Sequence, residues 1–174
     1  MDPHVLHSVS YGMFVVSSFR DKAFNGQIAN TVFQITSVPV TVAISINKKN
    51  LTHEYIEASS RFGVSILSEE APLEFIGKFG FKSGKQGDKF KDTAHRVLAS
   101  GCPIVTDYAI GYIEAEVINR FDCGTHTLFL GCMREGAILK EGVPMTYAYY
   151  HNVKKGTTPP KAPTFIRGES REAR

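Results

Sequence analysis

The sequence predicts a mainly β fold, a β-barrel carrying a few short helices, and three observations carry that reading. Short runs of β-branched and aromatic residues recur along the chain and are broken by turn signals. Only two or three stretches have helical spacing. Strands do not alternate with long amphipathic helices, as a doubly wound α/β sheet would require. The 174 residues suffice for one domain with a sizeable core.

The elements follow in order. Met13, Phe14, Val15 and Val16 form an apolar β-branched run. Residues 41–46 alternate, with Val42, Ile44 and Ile46 on one face, and residues 62–67 give a third strand. The clearest strand spans 111–121, where Ile113, Ala115 and Val117 face one way and Glu114 and Glu116 the other. After an Asp122-Cys123-Gly124 turn signal, residues 125–133 read as its hairpin partner. Thr52 is a candidate cap for a helix over 53–59, and Pro72 opens a second helix through Lys78. Residues 145–151 fit a short helix or a strand. From Gly156 the composition turns rich in proline, glycine and charge, so residues 1–155 are expected as the domain and 156–174 as an extended Pro-rich tail.

Composition narrows the function. A net charge of +3 suits a phosphorylated small molecule but is too weak and dispersed for nucleic acid. No apolar run reaches membrane-spanning length, and the N-terminus does not read as a secretory signal. The three cysteines make no CxxC pair, so no disulfide framework or metal site is expected, and a cytoplasmic location fits. The six histidines are scattered; His4 and His7 share helical spacing, which alone does not make a metal site. Walker, GxGxxG, GxSxG and HExxH motifs are all missing.

Four segments are candidates for chemistry. Residues 25–37 carry Gln27, Asn30, Thr31, Gln34 and Thr36 among the small or apolar Gly26, Ile28 and Ala29. Neutral donors and acceptors beside small residues suit a flat heteroaromatic ring, and a polar edge strand with ordinary cross-strand pairing has the same composition. Residues 47–53, with Asn47, Lys48, Lys49, Asn50 and Thr52, join a strand to a helix N-terminus. They form either a phosphate cradle or a solvated turn with a cap. His126, after Gly124 and Thr125, is either a substrate-positioning group or a half-buried strand histidine. Residues 79–90, including Lys82 and Ser83, form a basic glycine-rich loop that covers a ligand or is merely surface.

Taken together, Gly26-Gln27-Ile28-Ala29-Asn30-Thr31, Gln34 through Pro39, Ile46-Asn47-Lys48 with Leu51-Thr52, and Gly124-Thr125-His126-Thr127 through Gly131 resemble the flavin-reductase-like family of FMN-binding split β-barrels. The resemblance runs in order to about Lys155. Phe81-Lys82-Ser83-Gly84, Asp88-Lys89-Phe90 and residues 145–151 resemble the branch that contains archaeal ferric reductase and the flavin-reductase domain of high-molecular-weight rubredoxin. The resemblance implies a six-stranded Greek-key barrel and an NAD(P)H:flavin oxidoreductase with NADH or NADPH as donor. The acceptor would be free flavin, a ferric chelate or rubredoxin. It implies FMN as cofactor, lying near the interface of a homodimer. It places Gln27 to Thr31, with Gln34 and Thr36, against the ring. Asn47, Lys48, Asn50, Thr52, Lys82 and Ser83 fall at the phosphate, and His126 near the nicotinamide. Thr125 departs from the Asp common before that histidine. Rubredoxin, where it takes part, is expected as a separate partner, since no CxxC pairs follow the barrel segment. The same site would serve an FMN electron relay or storage module without its own reductase activity. A pyridoxamine-phosphate-oxidase-like or haem-binding split barrel is the remaining alternative. Tyr147, Tyr149 and Tyr150 beside Met145 are expected at the dimer interface.

Overall fold

The computed structural model describes residues 2–165. After a 3₁₀ turn at Pro3–Ser8, the chain forms β1 (Phe14–Arg20), β2 (Ala23–Ala29), β3 (Val32–Ser37) and β4 (Val40–Asn47). Helix α1 (Leu51–Ser59), β5 (Arg61–Leu67) and helix α2 (Leu73–Gly80) follow. A 3₁₀ turn at Gly84–Gln86 leads to the short pair β6 (His95–Val97) and β7 (Pro103–Val105), then the long hairpin β8 (Ala109–Cys123) and β9 (His126–Ile138), and finally helix α3 (Tyr147–Asn152).

One antiparallel sheet holds seven strands in the order β2-β1-β5-β8-β9-β4-β3. The strands at its two ends, β2 and β3, are consecutive in the chain and separated only by Asn30 and Thr31. Two residues cannot cross the width of an open sheet, so the sheet must curl until its edges meet. The result is a barrel split along the β2–β3 seam. Seven strands stand where six were expected because the polar stretch from residue 23 to 37 makes two strands, one on each side of that seam.

The barrel interior is filled by Val16, Ile44, Ile46, Phe62, Val64 and Phe129, with Ile56 of α1 closing one end. A second cluster outside β1 packs Phe75, Ile76 and Phe79 of α2 against Met13, Met145 and Tyr150. Alternation along β8 is interrupted by register shifts after Glu114 and Val117. Glu114 therefore turns inward, 3% exposed, where Arg61 Nη1 donates to its carboxylate at 3.2 Å. β8 is exposed from Ile118 to Cys123, whereas β9 is exposed at the opposite end of the pair, from Arg134 to Ile138. Among the described residues no helix is long and apolar enough to cross a membrane.

Helix α1 starts two residues earlier than expected. Asn50 is its N-cap, without a side-chain capping bond, and Thr52 lies within the first turn, 1% exposed. Residues 145–151 resolve as helix rather than strand, because the Thr146 side chain accepts from Tyr149 N and caps α3.

Candidate functional site

A cavity of about 300 Å³ opens where the seam meets α1, α2 and the loop after α2. Its apolar walls are Ile28 and Ala29 from β2, Ile76 and Phe79 from α2, and Met13. Neutral polar side chains reach it from β2, the seam and the end of β4: Asn25, Gln27, Asn30, Ser45 and Asn47. Asn50, Leu51 and Thr52 bring the N-terminus of α1 to the same space. The first-turn N–H groups of that helix have no capping side chain, so the helix presents donors and a partial positive charge there.

The wall between α1 and the 82–86 loop depends on a close approach. A Cβ on Gly84 would lie 2.1 Å from Asn25 Oδ1 and 3.0 Å from Leu51. Glycine lets the loop touch Asn25, whose amide in turn donates to Thr52 Oγ1 at 2.8 Å. Ser83 caps the 3₁₀ turn, accepting from Lys85 N, and so presents the loop as a fixed edge.

The electrostatics are one-sided. Lys49, Lys82, Lys89 and Lys161 line the cavity, and among the described residues no Asp or Glu does. Among the described residues Gln27 Oε1 is buried there without a hydrogen-bond partner, and His126 Nε2 lacks one of full geometry although the Lys161 backbone carbonyl of the strap faces the ring. The other ring nitrogen, His126 Nδ1, is hydrogen-bonded to Thr125 Oγ1 at 2.9 Å. With that hydroxyl donating, Nε2 carries the proton and presents a donor to the cavity. Burial pushes the His126 pKa below 6.5, opposed in part by the Lys161 backbone carbonyl.

The fourth wall comes from the far end of the chain. Residues 157–164 run as a strap over the cavity mouth, where Thr157, Pro159, Pro160 and Lys161 through Pro163 line it. Its root is fixed by Tyr150 OH, which donates to Thr157 O at 2.9 Å. Its middle is held by Asn47 Nδ2 donating to Lys161 O at 3.3 Å. At its end Thr164 Oγ1 accepts from Asn30 Nδ2 at 2.9 Å and donates to Tyr147 OH at 3.0 Å. The segment expected as an extended tail from residue 156 thus lies on the site as far as Thr164; residues 166–174 fall outside the described residues.

Of the residues singled out by sequence, Gln27, Ile28, Ala29, Asn30, Asn47, Asn50, Thr52, Lys82, Ser83 and His126 converge on this one cavity. Thr31, Gln34, Thr36 and Lys48 are not among its lining residues. Gln34 and Thr36 lie on the exposed strand β3 and bond to the adjoining turn, Gln34 to Thr36 O and Thr36 to Pro39 O. Thr31 donates to Asn30 Oδ1. Lys48 is held 2.6 Å from Asp122 near the end of β8. Sequence reasoning missed Lys89 and the strap. It also placed the tyrosines at an interface, whereas Tyr150 is 3% exposed in the core and Tyr147 and Tyr150 anchor the strap. No cluster of three or more His, Cys, Asp or Glu able to hold a metal exists among the described residues.

Comparison with known proteins points the same way. Residues 6–158 match the flavin reductase like domain. High molecular weight rubredoxin of Moorella thermoacetica is 49% identical over 172 residues, covering 99% of this chain and 75% of that protein. The ferric-chelate reductase (NAD(P)H) of Archaeoglobus fulgidus is 43% identical over 169 residues, 97% of this chain and all (100%) of that one. An FMN-binding protein from Thermus thermophilus superposes with a TM-score of 0.74 at 23% identity, covering 81% of this chain and 83% of its own.

Proposed function

The chain belongs to the flavin reductase like family, and on that premise we propose that it binds FMN at the barrel seam and passes electrons from NADH or NADPH through it to an acceptor. One observation carries the reading: among the described residues the cavity combines apolar walls and neutral amides with four lysines, no carboxylate and a buried amide oxygen, Gln27 Oε1, that has no partner. A flat ring with polar edges and an anionic phosphate meets each of these demands.

In this reading Gln27, Ile28, Ala29 and Asn30 hold the ring. Asn47, Asn50, Thr52, Lys82 and Ser83, with the N-terminus of α1, hold the phosphate end. When bound, the flavin supplies the redox chemistry by accepting a hydride from the nicotinamide and releasing the electrons onward. The protein's own task is positioning and exclusion of water. His126, held through Nδ1 by Thr125, orients the donor by hydrogen bonding from Nε2 and is not required to move a proton. The names of two relatives bear on the acceptor, a ferric chelate or a rubredoxin. The three cysteines are all free thiols, which supports a reducing cytoplasm.

We place a second copy of the chain on the outer face of β3. Phe33 and Ile35 are 47% exposed there and Val38 is 91% exposed, an apolar edge that a homodimer would bury. This replaces the tyrosines as the proposed interface.

A relay without nicotinamide chemistry is favoured by one feature, the strap across the His126 side of the cavity. Stopped-flow mixing of FMN-loaded protein with NADH and NADPH separates the two. Fast bleaching of bound flavin supports the reductase. Bleaching by dithionite alone supports the relay, and failure to bind FMN at micromolar concentration overturns both.

A further inference from the structure

Lys89 is a cation in an unusual place. It is 7% exposed, in a loop whose other lysines are exposed, and it lies in the wall between the cavity and an outer groove of about 540 Å³ beneath α2. An ammonium has three N–H donors. Two are used: Nζ donates to Gly26 O on β2 at 2.9 Å and to Phe79 O at the end of α2 at 3.2 Å. The third has no hydrogen-bond acceptor among the described residues; the only other neighbour given for Nζ is the Phe79 ring, its centroid 6.0 Å away.

Nor does a carboxylate balance the charge. On the cavity side the titratable neighbours are Lys49, Lys82, His126, Tyr147, Tyr150 and Lys161, none of them a carboxylate. On the groove side lie Glu74, Lys78, Lys82, Asp88, Asp92, Asp107 and Tyr108, and none forms an ion pair with Lys89 among the described residues. Asp88, its chain neighbour, turns away to accept from Phe90 N at 2.8 Å. Asp107 accepts from Ala94 N. Desolvation alone pulls the Lys89 pKa down from 10.5 to about 8. A buried cation with a spare donor and no counter-ion costs free energy in the empty protein. An anion arriving from the adjoining cavity would recover it.

We propose that Lys89 is the buried counter-ion for the phosphate ester of the bound flavin, and that it sets the preference for the phosphorylated cofactor over riboflavin. The inference rests on the flavin reading above. It differs from the surface lysines of the same cavity in kind: Lys82 is exposed and screened by water, whereas Lys89 acts from a desolvated position where a charge-assisted bond is stronger.

The test is binding of FMN and of riboflavin to apo protein, followed by flavin fluorescence, for the wild type, Lys89→Met and Lys89→Arg. Lys89→Met should lower FMN affinity roughly 10- to 100-fold, the loss of one charge-assisted bond, with riboflavin changed less than about threefold. Lys89→Arg should restore the preference. The pH profile is a second readout that a purely structural lysine would not move. The phosphate is fully ionised above its second pKa of about 6. FMN affinity of the wild type should therefore fall as pH rises through about 8 and the lysine discharges, while riboflavin affinity stays flat. In Lys89→Arg the FMN profile should be flat across the same range, and this arm decides the matter where Lys89→Met does not fold. Equal loss for both flavins, unchanged FMN affinity in Lys89→Met, or a wild-type FMN profile flat through pH 8 overturns the proposal. Wild-type protein that binds riboflavin and FMN equally overturns it while sparing the flavin site. Wild-type protein that binds neither overturns the flavin site and Lys89's role together.

Discussion

Replacing Gly156 by Ala should detach the strap while leaving the barrel intact. Gly156 follows α3, and its N–H donates to Tyr150 O at 2.9 Å. An added Cβ would fall 2.0, 2.1 and 2.4 Å from three ring atoms of Tyr150. Carbon atoms rest at about 3.5–4.0 Å, so something must retreat by more than an ångström. Tyr150 cannot: it sits in the core cluster with Phe75, Ile76, Phe79 and Met145. The strap can, because it is held by part-buried side-chain bonds worth about 0.5–1.5 kcal/mol each. Overpacking a rigid site costs about 1–3 kcal/mol. At about 2–4 °C per kcal/mol for a chain of this size, the melting temperature should drop by roughly 2–12 °C. With the strap wall gone, FMN should dissociate about tenfold faster, the equivalent of one hydrogen bond of about 1.4 kcal/mol. Hydrogen exchange by mass spectrometry provides the decisive assay. Faster exchange should be confined to residues 156–165, with the strands unchanged. Acceleration spread evenly over the strands, or an unaltered strap and unaltered FMN dissociation, would refute the reasoning.

Other outcomes follow from the same geometry. His126→Ala should slow flavin reduction by NADH roughly tenfold in stopped flow, the loss of one hydrogen bond, with FMN affinity nearly unchanged; unaltered reduction returns His126 to a purely structural role. Thr52→Val leaves the Asn25 amide without its acceptor and should cost about 1–3 kcal/mol in urea unfolding together with weaker FMN binding. Lys48→Ala, in contrast, should leave FMN affinity within about twofold, since Lys48 is tied to Asp122 away from the cavity. Burial lowers the pKa of both His53 and His126 from 6.5, so the unfolded chain binds protons first as pH falls. Stability should therefore be full above about pH 6.5 and decline below it, and His53→Gln with His126→Gln should flatten that slope in pH-dependent melting. Phe33→Asp with Ile35→Asp should convert a dimer to monomer in sedimentation velocity, and a wild-type monomer that retains FMN with full affinity would dismiss the interface.

The barrel is legible in the sequence because alternation of Val, Ile and Thr against polar residues is a local signal. Residues 41–46 and 111–121 carry it without help from the rest of the chain. The candidate site is legible for a related reason: Gln27, Asn30 and Asn47 are uncharged polar residues in strands that would otherwise be apolar. Which of the polar residues face one cavity is a different matter, since it depends on strand order. Gln34 and Thr36 have the same chemistry as Gln27, but β3 lies on the far side of the seam from β2. Lys89 hides in a loop whose other lysines are solvated, and only the adjoining Phe90, 4% exposed, hints that the chain turns inward there. The strap has no periodicity at all. Its proline content signals extended backbone and says nothing of the surface on which that backbone lies.

The position of the strap also sets an order of assembly. Its contacts join Asn30 to Thr164 and Asn47 to Lys161, partners 134 and 114 residues apart. A chain emerging from the ribosome completes the hairpin of β8 and β9, and with it the main sheet, before residues 157–164 exist outside the exit tunnel. The nascent protein thus passes through a stage in which the barrel is closed and the pocket still lacks one wall. A small planar molecule can enter freely at that stage and meets a narrower door afterwards. Cofactor loading during synthesis and loading of the finished protein are then kinetically distinct events, the first limited by translation and the second by the opening of a segment pinned across more than a hundred residues of sequence.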